Sequence, residues 1–358
     1  MISKKIITTG NYTQQVDNPD AFLRFDLTEG VMWFKKDLEK WIKSMPLKSI
    51  IHYPSGQKQN KELLARWLQV SPEHIVFGNG SDDLIELIAQ TYINKQDEVV
   101  IPCPSFFKFT DSTFKAGGVV HYVHFSEKNE FEWSEEVSNK FLRVISREKV
   151  KIVWLASPNN PTGVTIPEPV LLKILKTGKI VVLDKTPGSV DELHDVVKKV
   201  KTFPNLIILS SFSKMFGMPG LRCGFVVANK HIIHALEQKY SSFHISGPIE
   251  WLVKRLLEKL TSQTSTEHVP KKFQKEKLRM EKELEKISHI NIASTSKANF
   301  LLIRHINGLD LFHKLMEQNI LVTNLDNTPG LINRKYIRIT IKSAMENNHL
   351  LKILRHIR

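Results

Sequence analysis

An α/β fold is what this sequence predicts: a large, mostly parallel sheet flanked by helices, completed by a smaller α+β domain. Two observations carry that expectation. Between about Ile51 and Val227 the apolar runs are continuous rather than alternating, as strands covered on both faces require, and helical segments separate them. After about His231 the pattern changes to long helical segments and then to a short mixture of strand and helix.

Taken in order, the expected strands are "HIVF" (75–78), "EVVIP" (98–102), "KIVWLA" (151–156), "KIVVLD" (179–184), "NLIILS" (205–210) and "CGFVVA" (223–228). The segment "DLIELIAQTYI" (83–93) is a helix by pattern, because Leu84, Leu87, Ile88 and Tyr92 fall on one face. Beyond these come helical stretches at roughly 231–262 and 268–287, a strand "KYIRITIK" (335–342) and a last helix "AMENNHLLKILRHI" (344–357). In that strand Ile337, Ile339 and Ile341 face one way, which puts Arg338 on the opposite, polar or site-facing side. The domain division is therefore expected at 48–245 for the large lobe, with 1–47 and 246–358 forming the small one.

The composition limits the function. The chain has 358 residues, 41% of them apolar and 25% charged, which fits two packed lobes. No stretch approaches the roughly 20 apolar residues of a membrane span, and "MISKKIITTG" has too short an apolar core for a signal peptide, so a cytoplasmic protein without membrane partners is expected. The two cysteines, Cys103 and Cys223, have no metal-ligand spacing, and no metal site is expected. The net charge of +14 is spread along the chain, and its densest run (270–287) interleaves acids at helical spacing. Without a nucleic-acid-binding motif, that charge reads as attraction for anionic small molecules.

In an open parallel sheet ligands bind beyond the carboxyl ends of the strands. The segments at those ends are "GNGSDD" (78–83), "PCPSFF" (102–107), "SPNNPTG" (157–163), "DKTPG" (184–188) and "SFSK" (211–214). Together they supply what pyridoxal 5'-phosphate needs: a lysine to bond its aldehyde as a Schiff base, an anion for the pyridine nitrogen, a flat side chain against the ring and donors for the phosphate. Lys214, Asp184, Phe106, and the "GNGS" turn with Ser211, Ser213 and Arg222 are the candidates in turn. The turn through Gly80 leads into a helix whose free N–H groups attract phosphate. Ser81, Asp82 and Asp83 read equally well as a helix cap and first-turn acids.

The chain resembles the fold-type I pyridoxal-phosphate enzymes of aspartate aminotransferase-like fold, in the branch of histidinol-phosphate aminotransferase and threonine-phosphate decarboxylase. "SFSKMFGMPGLRCGF" is similar to the family's lysine motif, with Arg222 eight residues after Lys214, and "SPNNPTG" to its asparagine turn. "HYPSG" (52–56), "KANFLLI" (297–303) and "YIRITIKSAMENNHLL" (336–351) resemble further family elements, and "ILVTNLDNTPGL" (320–331) looks most like the decarboxylase side. The resemblance implies that Gly80, Ser81 and Asp82 contact the cofactor, that Asn160 bonds its phenolic oxygen and adjoins the substrate, and that Arg338 clamps a substrate carboxylate. It also implies a homodimer with shared sites, in which Tyr53 reaches the neighbouring subunit's phosphate. The activity it implies is transamination between an amino acid or related amine and a keto acid. Decarboxylation on the same fold and a non-catalytic pyridoxal-phosphate-binding role are the alternatives.

Three departures stand out. "DKTP" (184–187) replaces the family's Asp-Glu-Ala-Tyr, so Pro187 stands where a tyrosine would share the phenolic oxygen, a loss of about 1 kcal/mol. Thr323 stands where the decarboxylase pattern carries arginine, and "TTGN" (8–11) where it carries His-Gly-Gly-Asn. The groups replaced at these last two places would help recognise a substrate phosphate, so whether the substrate is phosphorylated stays open at this point.

Overall fold

A computed structural model describes residues 18–30, 34–240, 242–262 and 268–357, with the backbone alone at 268–272; "TTGN" (8–11) lies outside them. Among the described residues, seven strands form the main sheet. Their spatial order is Ile75–Gly78, Gly224–Ala228, Leu206–Ser211, Ile180–Asp184, Val150–Ala156, Glu98–Cys103 and Val119–His124. Gly224–Ala228 runs against both its neighbours, and the other strands are parallel. Successive residues alternate between two apolar layers. Val153, Leu155, Leu183 and Ile208 enter one, and Ile152, Trp154, Val182 and Ile207 enter the other. That is why these strands read as unbroken apolar runs.

Val119–His124 was not expected. It is one of the two edge strands and, unlike Ile75–Gly78 at the other edge, is mostly half-exposed, so His121 and His124 interrupt its apolar run.

The single helix expected over 231–262 is two helices, Lys230–Glu237 and Gly247–Ser262. Between them Phe243 takes φ +61, and Pro248 sits in the first turn of the second helix, where its missing N–H does no harm. Val253, Leu256, Leu257 and Leu260 of Gly247–Ser262 are buried in the main lobe's core, although they lie past residue 245. Each such side chain contributes about 1.5–3 kcal/mol by its burial.

The smaller lobe is a four-stranded antiparallel sheet in the order Thr323–Asn324, Ile337–Thr340, Phe300–His305, Ile290–Ile292. Helices His268–Glu285 and Ala344–His356 cover it, the latter started by a reciprocal Ser343–Glu346 capping box. The interleaved acids of the basic helix do pair with their neighbours, as in Arg279–Glu276 at 2.7 Å and Lys277–Glu281 at 3.1 Å. Phe25, from near the N-terminus, is fully buried in this lobe's core.

No helix among the described residues is long and apolar enough to cross a membrane. Among the same residues no cluster of three or more His, Cys, Asp or Glu side chains could hold a metal ion.

Candidate active site

Three strand ends bring the anion-binding candidates together. Gly78 pairs in register with Gly224, and Gly224 with Ser211. Beyond Gly78 the chain turns through Gly80 at φ +86, which caps the helix Ser81–Tyr92. That positive φ favours glycine, and a Cβ there would lie 2.8 Å from Arg222 Nη2, so the guanidinium would have to shift. Ser211 and Ser213 are buried, and Ser211 Oγ accepts the Ser213 N–H at 3.3 Å. On the far side of the turn Asp83 accepts the Asn79 N–H at 2.9 Å and the Tyr240 hydroxyl, which fixes the loop from behind. The helix N-terminus, the two serines and the arginine are thereby neighbours, a set of donors that could hold an anion.

Lys214 follows on the short helix Phe212–Met215, and its Nζ donates to the Leu27 carbonyl. Burial, then the positive charge of Arg338, lowers its pKa to about 8, against the opposing pull of Glu29 and Asp82. Asp184 ends the strand Ile180–Asp184, which pairs directly with Leu206–Ser211, and is almost wholly buried. Its Oδ1 accepts the Thr186 N–H at 2.8 Å, yet burial dominates and raises its pKa to about 6. In "DKTP" the Lys185 side chain pairs with Glu192 at 2.8 Å, and Pro187 supplies no hydroxyl. Phe106 is half-buried at the start of the helix Phe107–Lys115, edge-on to Phe107 and Phe109.

Arg338 is buried in the strand Ile337–Thr340. Both faces of that strand are inside the protein, so the side opposite the isoleucines is an interior one and not a solvent face. Its Nη1 donates to Asn160 Oδ1, and its Nη2 donates to the Asp26 carbonyl at 2.9 Å and Thr323 Oγ1 at 3.0 Å. Arg338 and Asn160 therefore meet across the two lobes. Tyr53 stands apart from this group. It is 80% exposed, and its ring stacks on Phe243 at 4.8 Å.

One element of the site carries no sequence signal. The segment "FDLTEG" (25–30) runs between the lobes and offers its carbonyls to both. Phe25 O accepts the Thr340 N–H and hydroxyl, Asp26 O accepts Arg338 and Thr323, Leu27 O accepts Lys214, and Thr28 O accepts Asn299 Nδ2. Thr28 takes φ +54 to do so. Carbonyls are common to every residue, so nothing in these side chains announces the strap.

The arrangement fits pyridoxal phosphate on its own chemistry. The anion seat suits a phosphate, the buried acid Asp184 is short of a cation, and Lys214 is a lysine whose neutral amine is within reach at ordinary pH.

Comparison with known proteins agrees. Residues 26–357 match the family model described as aminotransferase class I and II. The histidinol-phosphate aminotransferase of Caldanaerobacter subterraneus subsp. tengcongensis is 34% identical over 340 residues, covering 93% of this chain and 90% of its own. Among solved structures, the histidinol-phosphate aminotransferase of Sinorhizobium meliloti in complex with pyridoxal 5'-phosphate superposes with a TM-score of 0.75 at 19% identity, over 93% of this chain and 90% of that one. The L-threonine-O-3-phosphate decarboxylase of Porphyromonas gingivalis gives 0.74 at 22% identity, over 91% and 99%. At those identities the two structures speak to the fold.

Proposed function

We propose, for a chain that belongs to the aminotransferase class I and II family and is a pyridoxal-phosphate-dependent aminotransferase, that Lys214, Asp184, Asn160 and Arg338 carry its chemistry. When bound, pyridoxal phosphate supplies the electron sink for the bond broken at the substrate's Cα. Gly80, Ser81, Ser211, Ser213 and Arg222 would hold its phosphate. Asp184 would hold the ring nitrogen protonated, which in turn would relieve the burial of its carboxylate. Phe106 would lie against the ring, Asp82 would add a charge nearby, and Asn160 would bond the phenolic oxygen.

Lys214 Nζ is the proton carrier. With its pKa held near 8 by burial and Arg338, a useful share of it is neutral at physiological pH, so it can take the Cα proton and return it elsewhere. The Leu27 carbonyl accepts that amine and keeps it on the site side of the strap. Arg338 holds the substrate's anionic group in a bidentate fork, and Asn160 and Thr323 fix the fork's plane.

The observation that carries the reading is the meeting of Lys214 and Arg338 across the strap. Beside Arg338 stands the neutral Thr323, which favours a single carboxylate over a phosphate ester, so an amino acid is the proposed donor and a keto acid the acceptor. Two of the named relatives act, by their names, on histidinol phosphate and the third on L-threonine O-3-phosphate, and those two compounds are the competitors to compare. A cytoplasmic location is part of this proposal, and it would keep the buried free thiols Cys103 and Cys223 reduced.

A second copy of the chain is the proposed partner. Leu47, Ile50, Ile51, Tyr53 and Phe243 are large apolar side chains left exposed on neighbouring segments, a pattern that marks an interface. The patch is continuous with the anion seat, since Asn79 Nδ2 donates to the His244 carbonyl at 2.9 Å. Two-fold pairing on this face would carry Tyr53 to the neighbouring subunit's phosphate.

The test of the lysine assignment is borohydride reduction followed by peptide mapping. Wild type should carry the reduced cofactor on Lys214, and Lys214→Ala should lose the yellow colour and at least about 10⁴-fold in kcat. A reduced adduct retained by Lys214→Ala would remove Lys214 from its role.

A further inference from the structure

The helix Gln57–Leu68 begins at Gly56, which has no side chain with which to cap it. Its first orphan N–H groups must be met from elsewhere. The N–H of Gly56 itself is met by Glu250, whose Oε2 accepts it at 2.7 Å. Asn60, itself buried, donates to the Glu250 carbonyl at 3.0 Å. Glu250 is only 7% exposed and lies in the first turn of Gly247–Ser262, so one carboxylate serves the positive ends of two helices.

The same helix start shapes the rest of the exposed patch. A Cβ on Gly247 would overlap the Ser49 carbonyl oxygen, so the helix presses directly on the segment carrying Ile50 and Ile51. Just before it, Phe243 is held at φ +61, a conformation a bulky residue adopts only when its surroundings impose it, and there it receives the Tyr53 ring. Because Val253, Leu256, Leu257 and Leu260 lock this helix into the main core, its first turn is a rigid template.

We infer that Glu250 is a positioning residue acting between subunits: by bonding the backbone of the turn 52–56 it presents Tyr53, and so sets the cofactor affinity of the neighbouring subunit's site. This rests on the proposal that two copies share their sites. Glu250 touches neither cofactor nor substrate in this role.

Mixed dimers test it. Differently tagged chains of Glu250→Ala and Lys214→Ala are combined, and the cofactor affinity of the one remaining lysine site is read by equilibrium dialysis and by the visible absorbance of lysine-bound cofactor. The Glu250→Ala homodimer should bind pyridoxal phosphate about tenfold or more weakly, the scale of one or two lost charge-assisted hydrogen bonds. In the mixed dimer that lysine site is completed by a chain with an intact turn, so affinity should return to within about twofold of wild type. Glu250→Gln keeps one acceptor for the Gly56 N–H and should lose less; it supplies the same comparison should the alanine variant fail to fold. An undiminished homodimer, or a loss that persists in the mixed dimer, would overturn the inference. Tyr53→Phe mixed with Lys214→Ala separates the layers. Rescue of Tyr53→Phe but not of Glu250→Ala defeats the role of Glu250 alone, and rescue of neither defeats the shared site and this inference with it.

Discussion

The two ends of the site are built on different principles. At the end proposed to hold the phosphate, Gly78, Gly224 and Ser211 lie side by side on three hydrogen-bonded strands, and Gly80, at φ +86, sits against the guanidinium of Arg222. At the proposed substrate end, Arg338 and Lys214 come from separate lobes and are joined by carbonyls of a strap from residues 25–30. The first end is part of the sheet and moves only if the sheet does. The second is assembled from both lobes and the strap, so its geometry depends on how those parts sit. A seat built into one sheet for a resident group and a separately assembled one for a passing group suits transamination, since the cofactor stays while two substrates alternate.

The comparison can be sharpened by variants that touch one end only. The largest expected effect is at the substrate end. Arg338→Lys should lower kcat/KM for the best amino acid about 10- to 1000-fold, or roughly 1.4–4 kcal/mol, because a point charge cannot replace the planar fork. The visible absorbance of bound cofactor should not change, and a parallel loss of cofactor would mean that the two ends are not separable.

Next comes Asp184 at the cofactor end. Its native pKa of about 6 lies above the ordinary 3.8, so the cofactor-free fold binds its proton more tightly than the unfolded chain and loses stability as pH rises between those values. By neutral pH that loss is complete, roughly 2–4 kcal/mol at 1.36 kcal/mol per unit. Asp184→Asn should therefore raise the thermal stability of the cofactor-free protein at pH 7, flatten its pH dependence between about 4 and 6, and gain less than wild type from added pyridoxal phosphate. Calorimetry of both forms checks this, and an Asn variant less stable than wild type without cofactor would contradict it.

The smallest effect is at Thr323, which donates to the Asp26 carbonyl at 2.6 Å and accepts from Arg338. Thr323→Val should raise KM by about three- to tenfold with kcat little changed, the worth of one such bond. A change in kcat without one in KM would place Thr323 nearer the reacting atoms than the strap suggests.

How much was readable in the sequence follows the same divide. Gly80, Asn160, Asp184, Lys214 and Arg222 belong to short turns after apolar runs, where chemistry and local structure sit in the same few residues. Arg338 was readable as a residue facing away from the isoleucines, but its partners, 15 and 178 residues away at Thr323 and Asn160, were not. The strap left no trace because it works through carbonyls, and Glu250 left none because a glutamate at helical spacing on an amphipathic helix looks like any solvated acid. Val119–His124 escaped because it is mostly half-exposed and His121 and His124 break its apolar run, whereas the other edge strand, Ile75–Gly78, is fully buried. The break before Gly247–Ser262 was signalled by Gly247 and Pro248, yet the apolar periodicity on either side masked it.

The most direct test of the account is a single half-reaction. The purified enzyme, loaded with pyridoxal phosphate, is given one amino acid and no keto acid, and the cofactor spectrum, keto acid and carbon dioxide are followed together. The account predicts one equivalent of keto acid per Lys214 site, full conversion of the cofactor to its amine form, no carbon dioxide, and return of the original spectrum when a keto acid is added. Stoichiometric carbon dioxide with the cofactor left in its aldehyde form would contradict it and assign the Lys214–Arg338 site to decarboxylation.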